Sequence, residues 1–163
     1  MHWQPVAESL RKELAEYGAL LNLFEQQQES LFRRDPDAVL RLGGEIEDQA
    51  QILNDCRRRR EQAVSSLAVY CKQPATVTLR ALLPRLESDA RPLLEALINE
   101  INHLLHRVRR TSRQNHTLLS RTLELHQETL RQLRPDSFTK TYAADGRVSI
   151  AGAAATPALR AAG

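Results

Sequence analysis

Apolar residues recur along most of this chain in alternating steps of four and three, and that spacing calls for long helices with narrow packing seams. Up to Arg33 the seam is Leu10, Leu14, Tyr17, Leu21, Phe24 and Leu31, with Gln28 in the polar register position. A second seam runs through Val39, Leu42, Ile46, Gln49, Leu53, Cys56, Arg60, Ala63, Leu67 and Tyr70. Both resemble coiled-coil seams more than the broad face of a globular core. Leu, Arg, Glu, Gln and Ala dominate the chain and aromatic residues make up only 4% of it. Straight-chain residues of this kind lose little rotamer freedom in a helix.

Proline and capping chemistry set the boundaries. Pro5 suits a first helical turn, where a missing N–H costs nothing. Asp35-Pro36-Asp37 separates the two seams. The residue before a proline is pushed out of the α region. Asp35 can then cap the next helix, Pro36 fits its first position, and Asp37 complements its dipole. So short a connection predicts that helices over about 5–33 and 36–71 fold back as an antiparallel hairpin. Gly43-Gly44 costs about 1 kcal/mol per glycine relative to alanine, but the seam keeps phase across it, so the helix is carried through. Pro74 ends the second helix. A short helical segment over about 78–86 is expected to plug the end of the bundle, and Asp89 to cap a last helix over about 90–134.

That last helix, about 65 Å long at helical rise, changes character along its length. Leu93, Leu94, Leu97, Ile98, Ile101, Leu104, Leu105 and Val108 form a face wide enough for both arms of the hairpin. Arg109 to Thr117 contains no large apolar residue, and a fresh stripe follows at Leu119, Leu123, His126, Leu130 and Leu133, with Leu118 beside it. The polar interruption predicts that packing on the hairpin stops there. A helix of fewer than about twenty residues is marginal alone in water, so an exposed leucine stripe on it predicts a partner. Burying its five leucines is worth on the order of 8–15 kcal/mol gross, much of it offset by ordering the segment. The competing expectation is that this stripe packs on the distal end of the hairpin or in a dimer.

From Pro135 onward no apolar period remains, and 135–163 is expected to be a flexible tail, with small-residue low complexity from Ala151. Tyr142 is the last aromatic residue and Asp145-Gly146 is a turn signal. A lone tail tyrosine is either a solvent-exposed spacer or a linear motif that inserts one ring into a pocket of another protein.

The fold class expected from the sequence is therefore all-α. An antiparallel hairpin plus a long third helix form a coiled-coil-like three-helix bundle over 1–134, with a disordered C-terminal tail. The formal charge of +3 is mild, so nucleic acid is not an expected partner. Arg57–Arg60 is the densest basic run, yet no aromatic residue interleaves it to stack on bases. No run of about eighteen apolar residues exists, and the N-terminus lacks a basic region followed by an apolar core. The expected location is the cytoplasm, with no membrane insertion and with Cys56 and Cys71 as reduced thiols. There is no Gly-rich phosphate loop, nucleophile elbow or zinc-protease helix. His103 and His106 lie three apart with only Glu100 near them in sequence, too little for a metal site. Neither catalysis nor a cofactor is expected.

From Asn115 to Ser149 the chain resembles the C-terminal region of FlgN-type flagellar export chaperones. Asn115, Leu118, Leu119, Leu130, Leu133, Pro135, Tyr142, Asp145 and Gly146 carry the likeness. The order is an asparagine, two leucines, an amphipathic helix, a proline and a Tyr-x-x-Asp-Gly tail. Ala143 stands where the family often has glycine. The resemblance implies a chaperone that binds hook-associated (hook–filament junction) proteins, keeps them unassembled and delivers them to the flagellar type III export gate. It implies client binding on the C-terminal amphipathic region, here Asn115, Leu118, Leu119, Leu123, His126, Leu130 and Leu133. It also implies docking on the export-gate membrane protein through Tyr142, with Asp145 and Gly146. Two other functions fit the residues less well: a coiled-coil scaffold that self-associates through the last helix, and a basic helical nucleic-acid binder acting through Arg57–Arg60 and Arg107–Arg113.

Overall fold

In the computed structural model the described residues are 2–133 and, by backbone only, 138–142 and 148–152. Four α-helices are described, α1 (Gln4–Arg33), α2 (Pro36–Tyr70), α3 (Leu79–Leu82) and α4 (Ala90–Leu133), with a 3-10 turn, Leu83–Arg85, after α3. The protein is an all-α helical bundle, supplemented by one two-stranded ladder. It divides into two compact units, 1–118 and 119–163.

In the first unit α1 and α2 pair as a hairpin, and the turn between them is minimal. The Arg34 N–H donates to Leu31 O (3.2 Å) and the Asp35 N–H to Ser30 O (3.0 Å), which satisfies the last carbonyls of α1. This closure holds Arg34 at φ 56°. Asp35 then starts the next helix: its Oδ1 accepts from the Ala38 N–H at 3.1 Å. At the far end of α2 the same device recurs without glycine. Lys72, at φ 53°, donates to Val69 O and Gln73 to Ala68 O, so the helix stops at Tyr70, ahead of Pro74. The glycine pair Gly43-Gly44 lies inside α2, as the unbroken seam phase implied.

One core joins the elements of this unit. Val6, Leu10 and Leu21 of α1, Leu53 and Leu67 of α2, and Leu94, Ile101 and Val108 of α4 are all buried in it. Leu82 and Leu83 are buried in the same cluster, which is how the α3 segment closes the end of the bundle. Each fully buried Leu contributes about 2 kcal/mol of transfer free energy. Ahead of α4 the Glu87 carbonyl accepts from the Ala90 and Arg91 N–H groups, while Asp89 accepts from the Ser88 hydroxyl at 3.2 Å.

The hairpin seam is not apolar throughout. Glu13 is 1% exposed and meets Arg60 of α2, whose Nη1 lies 3.0 Å and 2.9 Å from its two carboxylate oxygens. One turn on, the Gln49 amide donates to the Glu16 carboxylate at 2.6 Å and to the Glu16 carbonyl at 3.1 Å. Cys56 is buried beside these groups, and both cysteines are free thiols. Tyr70, which the seam spacing would turn inward, is instead 61% exposed and stacks on His2 at 3.6 Å.

In the second unit, Phe138–Tyr142 (β1) and Val148–Gly152 (β2) pair antiparallel, with Tyr142 opposite Val148 and Phe138 opposite Gly152. Sequence periodicity does not anticipate this ladder. Thr139, Thr141, Tyr142, Val148 and Ile150 favour extended backbone, but five-residue strands are too short for an alternation signal to stand out.

Candidate functional site

The C-terminal half of α4 is where the sequence places its binding residues, and the structure treats them unequally. Asn115 is buried, at 4% exposure. Its side-chain amide donates to the Phe24 carbonyl at 2.8 Å and to Gln27 Oε1 at 3.1 Å, both on α1. Asn115 is therefore a polar clamp inside the bundle. The expectation that packing ends at Arg109 needs correction here. Leu94, Ile101, Val108 and Asn115, spaced seven apart, are all buried. Apolar content fails to mark the end of this seam because its last buried residue packs through hydrogen bonds. Next to it Gln28, the polar position in the α1 seam, donates to Gln114 Oε1 at 3.4 Å.

Beyond Asn115 exposure rises quickly. Leu118 is half-buried, and Leu119, Leu123, Leu130 and Leu133 are 39%, 54%, 51% and 73% exposed. His126 is exposed as well. In sequence the steps of four and three that lead to Asn115 continue through Leu119, Leu123, His126, Leu130 and Leu133. The surrounding polar groups pair locally, as in Arg131 with Glu128 at 2.9 Å. Tyr142 is the last residue of β1. Asp145 and Gly146 lie outside the described residues.

The electrostatics of the bundle interior centre on Glu13. Burial raises its carboxyl above the ordinary Glu value, against the pull of Arg60 and Arg57. Burial likewise raises the Tyr17 phenol and the Cys56 thiol. Sequence periodicity passed over Glu13, although it stands three residues after Leu10 and four before Tyr17, squarely in the seam. Its partner Arg60 occupies a seam position of α2, and complementary charges at facing seam positions are the available signal. Among the described residues no cluster of three His, Cys, Asp or Glu is placed to hold a metal ion. No described helix is long and apolar enough to cross a membrane.

Two features mark this part of α4: the bonds from Asn115 to α1, and the leucine face exposed after it. Among protein families, the FlgN protein family model matches residues 1–150. The chain belongs to the FlgN family. Membership brings the family's general role, that of a chaperone in flagellar type III protein export and flagellum assembly. No curated protein and no solved structure matches the chain. For this FlgN-family chain the match takes in the whole bundle, the exposed leucines and most of the β1–β2 ladder.

Proposed function

We propose that this chain is a cytoplasmic export chaperone whose clients are hook-associated proteins, and that the client covers the leucine face of α4. One observation carries the reading: Leu119, Leu123, Leu130 and Leu133 are exposed on a helix whose earlier seam residues are buried. A soluble surface seldom keeps such a stripe uncovered unless a partner uses it. A client whose assembly helix is prone to self-association needs a complementary apolar helix face, and a helix-in-groove or helix-on-helix contact provides one. Moderate affinity suits the role, because the client must be released at the export gate. Ordering costs offset much of the gross gain from leucine burial and keep the affinity in that range. Hand-over at the gate is assigned to the segment around Tyr142, Asp145 and Gly146, on the basis of the family resemblance.

The test is a paired measurement on the full chain. Leu123→Ala with Leu130→Ala is expected to abolish binding to purified hook-associated proteins while helicity stays unchanged. Tyr142→Ala is expected to leave client binding intact and to lower client export. Unchanged client binding in the double leucine variant would overturn the assignment of the face. Loss of client binding in the Tyr142 variant would overturn the division of labour. Sedimentation tests the scaffold alternative: a tight dimer that buries Leu119 to Leu133 favours it.

A further inference from the structure

A different surface of α4, within the first unit, supports an inference independent of the leucine face. Between Glu100 and Glu124 the sequence holds no Asp or Glu, yet it includes Arg107, Arg109, Arg110, Arg113 and Arg121. Several arginines elsewhere are answered locally: Arg33 by Glu29, Arg41 by Glu45, Arg91 by Glu95, each four residues away. Here Arg107 reaches Glu25 of α1 at 3.4 Å. Among the described residues Arg109, Arg110 and Arg113 form no ion pair. With His106 they are spaced three, four and seven residues apart, which puts them on one helix face. These four residues and Gln114 line a single surface hollow of about 590 Å³. Arg57 of α2 lies near enough to act with Arg109 on the Tyr17 phenol, whereas Arg60 is taken up by Glu13.

We propose that this face docks an acidic helical segment of a partner protein, with carboxylates three and four residues apart pairing against Arg109, Arg110 and Arg113. Guanidinium groups present a planar fork that matches carboxylates two bonds at a time. His106 and the three arginines span two helical turns, about 10 Å, and carboxylates at the same spacing on a partner helix cover the same length. Single-stranded nucleic acid fits the face less well. No Phe, Tyr or Trp occurs from Ile101 to Leu123 to stack on bases, and the chain's net charge is only +3.

The experiment uses the full chain with two labelled probes, followed by fluorescence anisotropy at low and physiological salt. One probe is a Glu-rich helical peptide with carboxylates at the stated spacing; the other is a single-stranded RNA of equal charge. The peptide is expected to bind more tightly than the RNA. Arg109→Gln, Arg110→Gln and Arg113→Gln together are expected to weaken peptide binding roughly tenfold, since each exposed pair is worth a modest amount. A charge-matched control, Arg33→Gln with Arg58→Gln and Arg80→Gln, is expected to change it by less than about twofold. No peptide binding by the unaltered chain, tighter RNA binding, or equal losses in both triple variants would overturn the proposal. If circular dichroism shows lost helicity in the α4 triple variant, Arg110→Glu alone supplies the readout. None of these substitutions touches the leucine face, so this docking surface and the client site succeed or fail separately.

Discussion

The side-chain amide of Asn115 donates to the Phe24 carbonyl at 2.8 Å, and this one bond ties the last buried turn of α4 to α1. A second bond to Gln27 fixes the same amide. Asn115→Ala is expected to cost about 1–2 kcal/mol by removing both bonds. Asn115→Leu extends the apolar seam and is expected to raise Tm, because a single buried Asn specifies register at a cost in stability. Thermal unfolding followed by circular dichroism measures both. If either variant binds client less well, part of that loss belongs to the α1–α4 clamp, and the size of the Tm shift shows how much.

Glu13→Ala is expected to destabilise the protein by about 2–3 kcal/mol, since it leaves Arg60 without its partner in the seam. The figure lies below the roughly 3–5 kcal/mol of fully buried pairs because Arg60 keeps 27% exposure and water screens it. Urea unfolding at neutral pH measures the difference.

The pH dependence of the same group follows from the direction of its shift. Burial holds the Glu13 carboxyl above its ordinary value in the folded protein, so in that window the native state binds more protons than the unfolded chain. The stability this group contributes is fully present below the unfolded pKa of about 4.3 and is lost as pH rises through the folded value. Compared with Glu13→Gln, the unaltered chain is therefore expected to lose stability as pH rises from about 4.3 through the raised folded value. A difference that grows in its favour over that range would mean that the Arg60 attraction outweighs burial.

Leu94 and Leu123 sit on the same helix, one fully buried and the other 54% exposed. Leu94→Ala is expected to cost about 3–4 kcal/mol through lost transfer and a residual cavity. Leu123→Ala is expected to change stability by less than about 0.5 kcal/mol. Equal costs would show that the leucine face is packed in solution.

Two substitutions test the helix chemistry of α2. Asp35→Ala removes the N-cap bond to Ala38 and is expected to cost about 1 kcal/mol. Gly44 lies inside the helix, and a Cβ at that position would meet nothing within 4 Å, so Gly44→Ala is expected to gain about 0.5–1 kcal/mol. Urea midpoints report both, and a loss of stability in Gly44→Ala would mean that the glycine pair is used for close approach.

The all-α class was written in local chemistry. Asp35-Pro36 stops one helix and caps the next through groups within three residues of each other, and the four-three spacing of Leu10, Tyr17, Leu53 and Leu67 already turns those side chains to one side. Such signals need no knowledge of the partner helix. The exposed leucines were legible for the same reason, as a stripe with its own period. Tertiary structure alone decided that Asn115 is an internal clamp and that Glu13 and Arg60 share the seam. Polar residues enter a packed interface only when a complementary group happens to face them, and that group, Phe24 or Arg60, stands dozens of residues away in the chain. Tertiary contact also turned Tyr70 outward onto His2 and, among the described residues, left Arg109, Arg110 and Arg113 without an acid, since the answer to an arginine depends on what the neighbouring helix brings within about 4 Å.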